Sequence, residues 1–171
     1  MLKDDLIGCG AVLFGDFTLT SGAKSSYYVD IKKASTNPKV LRHIGKEMSK
    51  HIEGIDMIAG MELGAVPIAV AVALETGKPY VIIRKGERTH GTGKQIEGDP
   101  VYGKRVLIVE DVTTSGGSTI KSVEILREAG ATVDKALVVV DREAGAIPKL
   151  AEMGVNLIPM VTVKELLASQ K

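Results

Sequence analysis

The sequence predicts an α/β fold, a mostly parallel central sheet flanked by helices. Three observations carry that prediction. Short apolar runs recur at residues 80–83, 106–109 and 136–140, and at 55–59 with Asp56 as the one polar residue, the pattern of strands buried on both faces. Stretches with apolar residues at helical spacing lie between most of them, which is the alternation of a parallel sheet with crossover helices. A glycine loop at 60–65 and a glycine- and hydroxyl-rich loop at 112–118 follow two of the strands, where open α/β sheets bind ligands.

Taken in order, residues 2–13 read as a helix, with Leu6, Ile7, Val12 and Leu13 apolar and Gly8 and Gly10 weakening the pattern. Phe17 and Leu19 alternate with polar residues, Ser21-Gly22 turns, and residues 27–31 extend again, so this region reads as a β-hairpin. Asn37-Pro38 opens a helix to about residue 52, with Val40, Leu41, Ile44 and Met48 on one face. His43 and His51 belong to its solvated side. The run at 55–59 leads through a glycine loop into an apolar helix, with Pro67 near its first turn.

Residues 84–101 carry little apolar pattern. A connection of that length is a functional loop, a disordered one or a solvated hairpin. Arg84, Lys85, Arg88 and His90 sit among glycines there, which suits a flap that carries cations over an anionic ligand. A short helix at 149–153, a strand at 155–161 broken by Pro159 and so placed at an edge, and a helix at 163–167 close the chain.

Composition bounds the function. The 171 residues make one domain, 1–171, with 44% hydrophobic residues for its core. The 22 basic and 21 acidic residues nearly balance, so no basic excess points to nucleic acid. The single Cys9 forms no internal disulfide and fits a reducing compartment, as a small core residue. No stretch approaches the roughly 18–20 apolar residues of a membrane span. The opening MLKDDLIGCG lacks the apolar middle of a signal peptide. A cytoplasmic location and no membrane partner are expected.

The chemistry concentrates in residues 105–129, RVLIVEDVTTSGGSTIKSVEILREA. The buried strand ends in two carboxylates, Glu110 and Asp111. Val112, Thr113, Thr114, Ser115, Gly116, Gly117 and Ser118 follow, and Ile120, Val123, Leu126 and Ala129 then recur at helical spacing. Glycines that turn N–H groups inward, hydroxyls and a helix start make a phosphate cradle. Acids beside such a cradle would repel phosphate unless the ligand also offers hydroxyls or brings Mg²⁺. The stretch therefore reads as a sugar-phosphate site. A Gly-Gly-Ser turn alone would be an ordinary βα turn with Ser and Thr caps, but here strand, acids and loop coincide.

VLIVEDVTTSGGST resembles the phosphoribosyl-diphosphate (PRPP) motif of the type I phosphoribosyltransferases, with Glu110 where many members have Asp. FTLTSGAKSSYYVD resembles the N-terminal segment of the orotate phosphoribosyltransferases, which helps cover the pyrimidine. Thr20 stands where some members have a phosphate-binding lysine, and Ser26 where proline is usual. Whether Lys24 substitutes for that lysine is open. RKGERTHG resembles the flexible catalytic loop of that family, with Arg88 where lysine is common. The loop at 60–65 matches the pyrophosphate loop, with Gly64 where many bacterial members have lysine.

The resemblance implies the type I phosphoribosyltransferase fold, with a small N-terminal hood over about residues 1–35. It implies an enzyme that joins orotate to the ribose 5-phosphate of PRPP, with Mg²⁺ bound mainly through PRPP and no protein metal ligands. PRPP contacts fall on Arg84, Lys85, Arg88, His90 and residues 110–118, and orotate contacts on Thr114 and Arg142. Tyr28 is a candidate face for the orotate ring, while Tyr27 reads equally as core. His90 is either a general acid or only a charge. A homodimer with shared sites is implied, because the family's loop reaches the neighbouring subunit. Two other readings are a phosphoribosyltransferase for a purine or another pyrimidine, against which FTLTSG and Arg142 speak, and a PRPP-sensing regulator without catalysis.

Overall fold

The computed structural model describes residues 1–19, 21–86 and 93–169. Its sheet has six strands. In chain order these are β3 (Met57–Met61), β4 (Tyr80–Ile83), β5 (Ile96–Glu97), β6 (Val106–Thr113), β7 (Lys135–Asp141) and β8 (Asn156–Thr162). They lie side by side as β5-β4-β3-β6-β7-β8, all parallel except β5, which runs antiparallel to β4. β1 (Val12–Thr18) and β2 (Lys24–Val29) form a separate antiparallel hairpin.

Strand alternation divides the core in two. Ile58, Leu107, Val109, Leu137 and Val139 face a layer that includes Leu6 of α1 (Leu2–Gly8), Ile44 and Met48 of α3 (Pro38–Ser49), and Ile68 and Val72 of α4 (Ala65–Thr76). Their neighbours Ala59, Ile108, Ala136 and Val138 face the opposite layer, with Val123 and Leu126 of α5 (Gly117–Glu128) and Leu150 of α6 (Ala146–Glu152). A strand sandwiched this way is apolar at every position, which is why period two is absent from the sequence there. Each large aliphatic side chain so buried contributes about 1.5–3 kcal/mol.

Several boundaries differ from the sequence-based expectation. The first helix stops at Gly8, and Val12 and Leu13 join β1 after a turn in which Gly10 takes positive φ. The chain does not stay extended to residue 31. The Asp30 carboxylate accepts from the Lys32 N–H and starts a five-residue helix, α2 (Ile31–Ser35). The strand expected at 55–59 is displaced by two, because the Ile55 N–H closes a turn on Ile52 and pairing with β6 starts at Met57. Gly60 and Met61 therefore finish a strand. α6 begins three residues early, at Ala146. The 84–101 connection contains β5, which the sequence hid because two residues are too few to show a period. Asn37 caps α3 through Lys39 and Val40, and Pro159 lies in the edge strand β8, both as expected.

Candidate active site

The site forms at the carboxyl ends of β3, β4, β6 and β7. β6 is buried through Glu110, which retains 5% exposure, while Asp111 and Val112 emerge half-buried. Glu110 is held on both oxygens. Ser118 Oγ, in the first turn of α5, donates to Oε2 at 2.8 Å, and the Asp111 N–H donates to Oε1 at 3.2 Å. The Asp111 carboxylate folds back on its own strand and accepts from the Val112 N–H at 2.8 Å. Burial, and then the Asp111 charge, push the Glu110 carboxyl up to about 8, against the opposing pull of Ser118.

Two glycines are required by this arrangement. A Cβ on Gly64 would lie 2.0 Å from Asp111 Oδ2, so with the carboxylate in this rotamer the β3–α4 turn approaches it through glycine. Gly116 starts α5 at φ 87°, where Ala146 leaves a Cβ only 3.3 Å. Within the cradle, Thr113 and Gly116 are buried, whereas Thr114, Ser115, Gly117 and Ser118 are exposed. The exposed members sit where backbone and hydroxyl donors of a helix start face outward.

A cavity of about 330 Å³ opens beside these groups. Glu110, Asp111, Val112 and Ser118 line one side of it, and Met61, Glu62, Leu63 and Gly64 the other. Lys85 and Lys32 complete the lining. The Lys85 N–H donates to Glu62 Oε1, which ties the root of the cationic loop to the turn after β3. Arg84 is fixed at the same root, its N–H on the Gln95 carbonyl and Nη1 3.4 Å from Glu97 Oε1. Arg88 and His90, together with Thr20, lie outside the described residues.

Arg142 follows β7. Its N–H donates to the Thr113 carbonyl at 2.9 Å, which places it next to the cradle. Its side chain turns to the hairpin: Nε donates to the Tyr27 hydroxyl at 3.4 Å, and the guanidinium lies 5.4 Å from the Tyr27 ring centre. The acids flanking it are engaged elsewhere, Asp141 with the Glu143 N–H and Glu143 with the Lys164 N–H. Glu143 has φ 55°, an uncommon conformation for a residue other than glycine. Tyr28 points away from Arg142, because adjacent strand residues face opposite sides. It is 46% exposed and packs on Phe17 with ring centres 5.8 Å apart. Lys24 reaches across the hairpin to Thr18 Oγ1 at 2.9 Å and is not among the cavity's lining residues.

The structure thus brings Glu110, Asp111, Val112, Ser118 and Lys85 to one cavity and sets Arg142 beside Thr113. It adds Lys32, which the sequence reading passed over, gives Tyr27, read equally as core, a contact with Arg142, and brings Glu62 of the 60–65 loop to the cavity. The Asp30 cap two residues before Lys32 was a legible signal for a turn there. Among the described residues, no cluster of three or more His, Cys, Asp or Glu side chains is arranged to hold a metal ion. The acids present are hard oxygen donors suited to Mg²⁺ only if a ligand supplies further oxygens.

Residues 31–163 match the model of the phosphoribosyl transferase domain. An orotate phosphoribosyltransferase of Methanoculleus marisnigri is 57% identical over 162 residues, 95% of this chain and 94% of the relative. One from Pyrococcus horikoshii is 52% identical, covering 96% and 93%. The crystal structure of orotate phosphoribosyltransferase from Aeropyrum pernix superposes with a TM-score of 0.87 at 40% identity, over 99% of this chain and 98% of that one. With its sheet order, its acid pair before a glycine cradle and this similarity along nearly its whole length, the chain belongs to the orotate phosphoribosyltransferase family.

Proposed function

We propose that the protein transfers the ribose 5-phosphate of PRPP to orotate, giving orotidine 5′-phosphate and pyrophosphate, as a step of UMP synthesis. The observation that carries this reading is the joining of Glu110 and Ser118 at one cavity mouth with Arg142 one strand away. The cradle at residues 113–118 takes the 5′-phosphate through its N–H groups and hydroxyls. Asp111 and Glu110 accept hydrogen bonds from the ribose hydroxyls. Arg142 and the Thr114 segment hold the anionic pyrimidine with its ring nitrogen toward the anomeric carbon.

The N–C bond forms as the C–O bond to pyrophosphate breaks, pyrophosphate leaves with the electron pair, and the proton of the attacking ring nitrogen passes to solvent or to the departing pyrophosphate. Positive charge builds on the sugar, negative charge on the leaving group. Arg84 and Lys85, with Arg88 and His90 of the loop, neutralise the latter. Mg²⁺, carried by PRPP, supplies further charge neutralisation at the diphosphate. No side chain is assigned as a nucleophile. Tyr27 rather than Tyr28 is the aromatic residue that supports the orotate end, because it already contacts Arg142.

The assembly belonging to this reading is a homodimer in which the loop serves the neighbouring site, in the cytoplasm, with the hairpin acting as a hood on a single catalytic domain. The direct test follows the ultraviolet absorbance of orotate mixed with PRPP, Mg²⁺ and protein. The expected loss of orotate must require all three. An equal or faster reaction with adenine, guanine or uracil would overturn the choice of acceptor. Mixing Arg88→Ala subunits with Asp111→Asn subunits restores activity if sites are shared.

A further inference from the structure

We propose that Lys32 is a pyrophosphate-binding residue of this site, supplied from α2 of the same chain in place of the lysine absent at Gly64. The proposal rests on reading the cavity as the PRPP site, and three observations support it. First, Lys32 lines the same cavity as Glu62, Gly64, Lys85 and Asp111, although it is 30 residues or more away from each of them in sequence. Second, the charge of that cavity demands it. The lining carries three carboxylic acids, Glu62, Glu110 and Asp111, against two cations, Lys32 and Lys85. Burial keeps Glu110 largely protonated near neutrality, while Glu62 lines the cavity beside the turn at Gly64, where a diphosphate meets its carboxylate with Lys85 and Lys32 as the two cations of the lining. Gly64 supplies no side chain there, and the Asp111 carboxylate occupies the volume its Cβ would take.

Third, the backbone beneath Lys32 is fixed. Its N–H donates to the Asp30 carboxylate, and its carbonyl accepts from the Thr36 hydroxyl at 2.8 Å and the Ser35 hydroxyl at 3.2 Å. α2 is short, but it is pinned at both ends and presents one lysine to the cavity. The next residue is turned elsewhere: Lys33 Nζ lies 3.6 Å from where a Cβ on Gly10 would stand. Adjacent lysines on one helix thus have different surroundings, which supplies an internal control. A cation carried on a fixed backbone has a role distinct from that of Lys85, whose contact with Glu62 runs through its backbone. It marks the diphosphate position before the loop acts.

The test compares Lys32→Ala, Lys32→Arg and Lys33→Ala in the full-length protein. Binding of Mg²⁺–pyrophosphate and of orotidine 5′-phosphate is measured by calorimetry, alongside the KM for PRPP. Loss of one charge-assisted contact weakens binding by about 10- to 100-fold. Lys32→Ala is expected to weaken pyrophosphate and raise the KM for PRPP by that factor. Orotidine 5′-phosphate, which has no pyrophosphate, stays within about twofold, Lys32→Arg recovers most of the loss, and Lys33→Ala changes neither ligand. Unchanged pyrophosphate affinity in a folded Lys32→Ala protein overturns the proposal, as does equal weakening of both ligands. Asp111→Asn separates the two levels of the reading. If it weakens PRPP while Lys32→Ala does not, only the role of Lys32 falls. If neither changes PRPP binding, the cavity is not the PRPP site.

Discussion

The two sides of the cleft are built differently. On the β6–α5 side, residues 110–118 make their contacts within one short stretch. Ser118 bonds Glu110, Asp111 bonds the next N–H, and Gly116 opens the helix. On the β3–β4 side the groups come from three distant segments, Lys32, Glu62 and Lys85, and only the Glu62 contact with the Lys85 N–H joins any two of them. The first side is organised before ligand arrives; the second is tied by that one bond. The comparison teaches where binding energy and where turnover should respond. Changes on the β6 side should cost both ligand affinity and folding energetics, whereas changes on the other should act mainly on pyrophosphate.

The largest expected effect tests the organised side at its exposed acid. Asp111→Asn keeps shape and the bond to the Val112 N–H through its amide oxygen but removes the charge. Losing a preorganised electrostatic contact to the reacting sugar costs about 10²- to 10³-fold in kcat/KM, and steady-state kinetics with PRPP varied reads it. A fall below about threefold would mean that the ribose hydroxyls are not held there.

The buried acid of the same pair gives a pH-dependent test. Glu110 has its folded pKa raised from 4.5 to about 8, chiefly by burial and then by the Asp111 charge. The folded protein therefore holds a proton that the unfolded chain releases above about pH 4.5. Stability falls as pH rises through that window and levels off above about pH 8, with a total on the order of a few kcal/mol. Glu110→Gln, neutral at every pH, should flatten denaturant midpoints between pH 5 and 8 while keeping a bond to Ser118. A slope as steep as that of the unsubstituted protein would assign the effect to another group. Lys32→Ala, on the other side of the cleft, should leave the slope intact.

Legibility in the sequence follows the same division. The cradle was readable because its chemistry is contiguous: an apolar strand, two acids and a hydroxyl-glycine loop stand in order. The sheet was readable because doubly covered strands are apolar throughout. What escaped was decided by other segments. β5 exists because β4 offers it an edge, and nothing in Ile96-Glu97 announces it. The displaced start of β3 follows from where Arg105 presents its carbonyl to Met57. Lys32 is one of several lysines in an exposed stretch, and only the packing of α2 against the core sends it, and not Lys33, to the cavity. Side-chain direction in the hairpin was equally hidden, since Tyr27 and Tyr28 are chemically identical and differ only in parity along β2.

That parity supports the smaller predictions, at the acceptor end. Arg142→Ala should raise the KM for orotate about 10- to 100-fold, the worth of a charge-assisted contact, and change that for PRPP less than threefold; equal rises would remove its assignment to orotate. Tyr27 acts through Arg142. Its hydroxyl accepts from Nε at 3.4 Å, a long bond, and its ring lies 5.4 Å from the guanidinium carbon, within cation–π range. Tyr27→Phe keeps the ring and loses only the weak hydrogen bond, worth about 0.5–1 kcal/mol, so the orotate KM should rise about two- to fivefold. Tyr27→Ala loses the ring as well and should do more. In the Arg142→Ala background, Tyr27→Phe should have no further effect, because its partner is gone. Tyr28→Ala should disturb packing on Phe17 and leave the orotate KM within about twofold. If Tyr28→Ala instead exceeds Tyr27→Ala, the pyrimidine lies on the outer face of the hairpin, and the division of the two tyrosines is reversed.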